Sequence, residues 1–180
     1  HSKTNESALI TVVTTLHAGG KFNNKAYRSS GGLHGVGISV VNALSSQMIV
    51  RSHRDGKLFQ AEFAKGLMVN NLAILGETTE RGTEIYFLPD ESIFKDIKFD
   101  NNIIRTRLKQ ESYLNKSLRI RLINKMTDES EDFYSENGLI DYVTDHINEN
   151  SYKPIFASPF YIQKDNEIKI ESVMQYIDDS

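Results

Sequence analysis

The sequence predicts an α+β fold, a two-layer sandwich of helices on a mostly antiparallel sheet, and three patterns carry that prediction. Apolar residues recur at three- and four-residue spacing over 7–16 and again over 36–44, as in helices with one buried face. Short alternating runs then follow one another between turn signals, and Asp55-Gly56 joins two of them as a tight hairpin does. Helices and several antiparallel strands gathered in this way make a layered α+β domain, not a βαβ array.

Taken in order, Ala8, Leu9, Val12, Val13 and Leu16 share one helical face, with Asn5 or Thr4 placed near the N-cap. Residues 17–30, HAGGKFNNKAYRSS, show neither period and are rich in Gly, Asn, Ser and Lys. A loop of that length is of the functional kind, a lid for instance. After a glycine run, Val36, Val40, Val41 and Leu44 mark a second helical face, followed by strands over 48–54, 58–63, 72–75 and 83–88. Their turns fall at 54–57, Lys65-Gly66 and Arg81-Gly82, and Pro89 closes the last strand.

Further on, Ile103, Ile104 and Leu108 indicate a helix over 101–114, and Leu118, Ile120 and Leu122 a strand. The acidic run 128–132 reads as a solvated hairpin tip, after which Phe133 and Tyr134 resume a strand. Leu139, Ile140, Val143 and Ile147 define a helix over 138–147, and 160–176 reads as two strands around Lys164-Asp165-Asn166. Residues 148–158, with Pro154 and Pro159, are the expected domain boundary, dividing the chain into 1–150 and 151–180.

Composition narrows the chemistry. A chain of 180 residues with 39% hydrophobic content can bury a real core, by length one domain with room for the start of another. No apolar run approaches the roughly 20 residues of a membrane span, so no membrane partner is expected. Without cysteine there are no disulfides, thiolate metal sites or cysteine nucleophiles, in keeping with a cytoplasmic location. Histidines at 1, 17, 34, 53 and 146 show no HExxH pairing, and no metal site is assigned. A formal charge of −3 offers no electrostatic ground for tight DNA binding by this piece alone. The chain begins at His1, without Met, close to a helical pattern, and is expected to be part of a longer protein.

The run SGGLHGVG over 30–37 carries the most chemistry. Its four glycines let the backbone approach a ligand without an intervening Cβ, and a glycine loop opening a helix offers unpaired N–H groups suited to phosphate. The GxxxxGK[ST] pattern fails because no Lys-Ser or Lys-Thr follows the glycines, and GxGxxG fails on spacing. What remains is GxxGxG followed by a helix.

That run belongs to a longer stretch over 16–45, LHAGGKFNNKAYRSSGGLHGVGISVVNALS, which closely resembles the ATPase domain of the B subunits of bacterial type IIA topoisomerases, DNA gyrase and topoisomerase IV. RDGK at 54–57, GET at 76–78, RGTEIYFLPD at 81–90 and YLNKSLRIRL at 113–122 continue in family order, and the resemblance thins after about Ser135. It implies the two-layer ATPase fold shared with heat-shock chaperones, sensor histidine kinases and mismatch-repair proteins, lacking its N-terminal part. It also implies an ATP site. The backbone of Gly32, Leu33, His34, Gly35, Val36, Gly37 and Ile38 wraps the triphosphate; Lys21 supplies a point charge; Tyr27 of the lid approaches the nucleotide; Thr83 hydrogen-bonds near the adenine; and Arg54 stands at the pocket mouth.

Plainer roles stand beside these. Lys21 also fits a solvated surface lysine, and Thr83 an ordinary β-branched strand residue. His34 is read as structural at the helix start rather than as a general base, His17 as a packed lid-hinge residue, and Asn42 as a hydrogen-bonding residue rather than a metal ligand. By the family pattern the general-base glutamate, the asparagine that binds Mg2+ and the adenine-reading aspartate all precede His1, so no catalytic residue is assigned and the 180-residue piece alone is expected to be inactive. The whole protein is expected to be an ATP-operated DNA clamp with ATP and Mg2+ as cofactors. Its expected partners are a second B subunit, the A subunit and, through the full complex, DNA. The lid sequence lies slightly nearer topoisomerase IV. The alternative is a truncated inactive remnant or a regulatory nucleotide-binding module of the same superfamily.

Overall fold

The computed structural model describes residues 7–16, 35–166 and 169–178, and the chain divides into two compact units, His1–Lys98 and Phe99–Ser180. The first contains α1 (Ala8–Thr14), α2 (Gly37–Ala43), β1 (Ser45–Arg54), β2 (Lys57–Ala64), β3 (Leu67–Glu77) and β4 (Gly82–Pro89). Its strands form one antiparallel sheet in the order β3-β2-β1-β4. Both tight hairpins have positive φ at two successive residues, Asp55 (53°) with Gly56 (77°) and Lys65 (53°) with Gly66 (84°). This type I′ geometry matches the right-handed twist of the strands it joins.

Met48 stands opposite Phe63, and Val50 opposite Ala61, in the β1–β2 register. These four and Val13 of α1 are the buried core, with Leu9, Ile38, Val41 and Leu72 packed around them. Burying each large side chain contributes about 1.5–3 kcal/mol. Asn42 is fully buried: its Nδ2 donates to the Val13 carbonyl at 3.2 Å, and its backbone carbonyl accepts the Gly66 N–H at 3.1 Å. One side chain thus ties α2 to α1, as expected of a core hydrogen-bonding residue.

The other face of the sheet carries a polar network. Asn70 on β3 donates to Glu62 (2.7 Å), Gln60 to Glu62 (2.8 Å) and Arg51 to Gln60 (2.7 Å), while Arg51 also pairs with Glu84 on β4 (3.1 Å). This chain of contacts crosses all four strands and holds their register from the side away from the core.

Asp90 secures the end of β4. Its N–H donates to the Leu44 carbonyl (2.9 Å), and its nearly buried carboxylate meets Lys65 Nζ (2.8 Å) and the Ser92 N–H (3.0 Å) and hydroxyl (2.8 Å). The Lys65 ammonium, then Ser92, holds the Asp90 carboxyl well below its ordinary 3.8, at about 2. A depressed folded pKa stabilises above the unfolded value and loses that contribution as pH falls through the folded one. Denaturant unfolding should therefore show a stability gap between wild type and Asp90→Asn that is steady down to about pH 5 and shrinks between about pH 4 and about pH 2. A gap independent of pH would remove this role from the carboxylate.

The second unit contains α3 (Asn101–Leu114), β5 (Ile120–Asn124), β6 (Glu129–Phe133), α4 (Leu139–Glu149), β7 (Lys153–Pro154), β8 (Phe160–Asp165), β9 (Lys169–Met174) and β10 (Ile177–Asp178). Its described strands pair antiparallel two by two: β5 with β6, β8 with β9, and β7 with β10. Asp100 caps α3, accepting the N–H groups of Asn102 (2.8 Å) and Ile103 (3.3 Å). The Tyr113 hydroxyl, donating to Asp145, joins α3 to α4, and burial followed by that carboxylate pushes its pKa up to about 12.

Several sequence expectations are corrected. The N-cap of α1 is Ser7, while Asn5 and Thr4 lie outside the described residues. In α1 Thr11 and Val13 are the buried residues and Leu16 is exposed; in α2 Ser39 and Asn42 are buried and Val40 is 42% exposed. Polar residues take the inward positions because each has a partner there, Ser39 Oγ donating to the Val36 carbonyl at 2.9 Å. Ile103, one of the residues that indicate α3, is 70% exposed, and Leu118 precedes its strand. The acidic run is not a hairpin tip: 129–132 lie within β6, with Asp128 in the turn. Arg121 makes this possible, meeting Asp132 across the pair with two hydrogen bonds of 2.6 and 2.8 Å.

Candidate functional site

One cleft in the first unit is lined by three of the six described residues of the expected site, Ile38, Arg54 and Thr83, while Gly35, Val36 and Gly37 are not among its lining residues. It has a volume of about 720 Å³ and lies along the face of the sheet that carries the helices. Leu9, Val12 and Val13 of α1, Ile38 of α2, Val50 of β1, Phe59 of β2, Leu72 of β3 and Ile85 of β4 give it apolar walls. Ser52 and Thr83 add hydroxyls, and Arg54 and Asp55 of the first hairpin turn add charges. Apolar walls with a few polar groups suit a ligand that combines a flat ring with a polar edge.

Three sequence-assigned residues, Ile38, Arg54 and Thr83, line this one cleft although 45 positions separate the first from the last. Sheet order explains the convergence: β1 is the central neighbour of β4, and Thr83 stands opposite Ser52, two residues before Arg54. Arg54 is largely exposed and lies 3.2 Å through Nε from Asp55 Oδ2, so its charge remains at the solvent edge. Among the described residues that line the cleft, Asp55 is the single carboxylate, and it contacts Arg54.

Gly35, Val36 and Gly37 lead into α2. Gly35 has φ of 61°, in the left-handed region, and Val36 is the N-cap residue. The first helical hydrogen bond runs from the Val40 N–H to the Val36 carbonyl (3.0 Å), so the preceding N–H groups have no intrahelical acceptor. A Cβ built on Gly37 meets no atom of the described residues within 4 Å. Packing among the described residues does not demand glycine there. Lys21, Tyr27, Gly32, Leu33 and His34 lie outside the described residues, as does His17.

Sequence reasoning misses Ser52. Its signal is the strand register itself, since only the pairing of β1 with β4 places it beside Thr83. The described residues contain no group of three or more His, Asp or Glu able to hold a metal ion. No helix among them is long and apolar enough to cross a membrane.

No family model matches the chain. Similar curated proteins are nevertheless plain. The gyrase B protein of Enterococcus faecalis is 39% identical over 181 aligned residues, covering 98% of this chain and 28% of that protein. The protein of the same name from Streptococcus pneumoniae is 41% identical over 178 residues, covering 97% of this chain and 27% of its own length. The Helicobacter pylori protein is 39% identical over 175 residues, covering 96% and 22%. The chain thus spans less than a third of the length of these relatives. Among solved structures, the 43K ATPase domain of Thermus thermophilus gyrase B, in complex with an aminocoumarin, superposes with a TM-score of 0.75 at 26% identity, covering 94% of this chain and 42% of that one. Along almost its whole length this chain is thus similar to the B subunit of DNA gyrase, and it shares the α+β fold of the gyrase B ATPase domain.

Proposed function

We propose that this chain is the ATP-binding part of an ATP-operated protein clamp, within a longer type IIA topoisomerase subunit that changes DNA topology. The carrying observation is the convergence of Ile38, Arg54 and Thr83 on one cleft beside the glycine turn that opens α2. In this reading the base lies against the apolar wall with Thr83 at its edge. The N–H groups from Gly32 to Ile38 turn toward the phosphates, Lys21 adds charge to them, Tyr27 closes from the lid, and Arg54 guards the mouth. We place the ATPase domain over 1–150 and the start of the next, transducer domain over 151–180. The outer edge of β4, unpaired among the described residues, supports a sheet that continues in the intact protein.

ATP hydrolysis in such a clamp uses Mg2+ to offset phosphate charge. The described residues do not form a donor set that fits this ion. Its ligand and the general base are assigned to residues preceding His1. The partners proposed are a second B subunit, which ATP draws across the captured DNA, and the A subunit that cuts it, in the cytoplasm. Gyrase and topoisomerase IV differ in their products, so DNA supercoiling against decatenation by the assembled enzyme decides between them.

The test is calorimetry on the intact protein. A non-hydrolysable ATP analogue should bind, and Lys21→Ala should weaken ATP more than ADP. Equal losses would move Lys21 away from the terminal phosphate, and an absence of nucleotide binding in the wild type would end the reading. The 180 residues alone should show no turnover above a no-enzyme control, because base and metal ligand are assigned elsewhere.

A further inference from the structure

Ser52 forms the middle of a row that crosses three strands on the cleft side of the sheet. Phe59 of β2 stands opposite it on one side and Thr83 of β4 on the other, and all three line the cleft. The row therefore offers an aromatic ring, a small hydroxyl and a second hydroxyl in sequence. Directly opposed residues of antiparallel strands have Cβ atoms about 4.5–5.5 Å apart, which places both hydroxyls within reach of one ligand edge. The adjoining pair on the opposite face, Arg51 with Glu84 at 3.1 Å, holds this register, and Arg51 is itself held by Gln60 at 2.7 Å.

A serine is an unusual wall residue in this position. Its neighbours Val50, Phe59 and Ile85 are apolar, yet Ser52 is partly buried among them. The Ser52 hydroxyl lines the cleft and can either donate or accept. A purine with an exocyclic amine presents donor and acceptor side by side on one edge, which two adjacent hydroxyls match. We propose that Ser52 is a base-reading residue, acting with Thr83 as a hydroxyl pair that recognises the amine-bearing edge of a purine nucleotide. This rests on the ATP-binding reading and adds to it a specificity-determining residue.

The experiment compares two ligands in the intact protein: a non-hydrolysable ATP analogue, and the corresponding triphosphate of purine riboside, which lacks the exocyclic amine. Ser52→Ala removes the hydroxyl and leaves the space; Ser52→Thr keeps the hydroxyl. Ser52→Ala should lose about fivefold to tenfold in affinity for the ATP analogue, the effect of one neutral hydrogen bond, and less than about twofold for the purine riboside nucleotide. Ser52→Thr should restore the preference for the amine-bearing ligand. Equal losses for both ligands would show that Ser52 serves packing alone and would overturn the proposal, as would unchanged affinity for both. A wild type that binds neither ligand would instead overturn the ATP reading on which it stands.

Discussion

Gly35→Val is expected to abolish nucleotide binding by the intact protein, read by calorimetry with a non-hydrolysable ATP analogue. Two effects act together. At φ of 61° a β-branched side chain clashes with its own backbone, at a cost on the order of 1–3 kcal/mol, so the turn into α2 would rearrange. The added branches would also occupy the side from which phosphate oxygens approach the N–H groups. Gly37→Val separates the two causes. Gly37 has no positive φ, and a Cβ there meets no atom of the described residues within 4 Å, so the fold should tolerate the change while the nucleotide does not. Unchanged affinity in both variants would remove the glycine run from the site.

The two variants rest on different information, and the difference shows where sequence reasoning reaches. Tight hairpins are local: Asp55-Gly56 and Lys65-Gly66 declare themselves because positive φ at two successive residues needs particular side chains, and the sheet follows from them. The pairing of β1 with β4 is not local. Ser52 and Thr83 are brought together across the intervening β2 and β3, and no pattern within either strand states that register. Hence Thr83 is recognisable through the family motif, and Ser52 becomes visible only beside it. The glycine run is legible in its chemistry, while the assignments of Lys21 and Tyr27 rest on resemblance.

Burial is misread for a related reason. Periodicity counts apolar side chains, so it assigns Val40 to the inner face of α2, where the structure places Ser39 and Asn42. What orients that helix is the contact of Asn42 with the Val13 carbonyl, a tertiary hydrogen bond that hydropathy does not encode. The acidic run behaves likewise. Charge density argues for solvent, but Arg121 opposite Asp132 makes the same residues acceptable in a strand. In each case a polar partner distant in sequence outweighs the local pattern.

Phe63→Ala should produce the largest loss of stability in the first unit. Phe63 is fully buried, opposite Met48, and it belongs to the cluster in which Val13 of α1 meets both central strands. Truncation to alanine removes the ring's transfer energy and leaves a cavity that strands paired on both sides cannot easily close, a combined cost of about 3–5 kcal/mol. Native-state hydrogen exchange on the intact protein measures this where it arises: opening free energies of the β1 and β2 amides should fall by about that amount. Leu67→Ala, at an edge-strand side chain that is 72% exposed, should change them by less than about 1 kcal/mol. Because β1 carries Ser52 and Arg54 into the cleft, the same Phe63 variant should weaken nucleotide binding through loosened strands, with no ligand contact removed. Full protection of β1 in Phe63→Ala would mean that the sheet is held mainly by its polar outer face, through Arg51, Gln60, Glu62 and Glu84, and that the aromatic core is secondary.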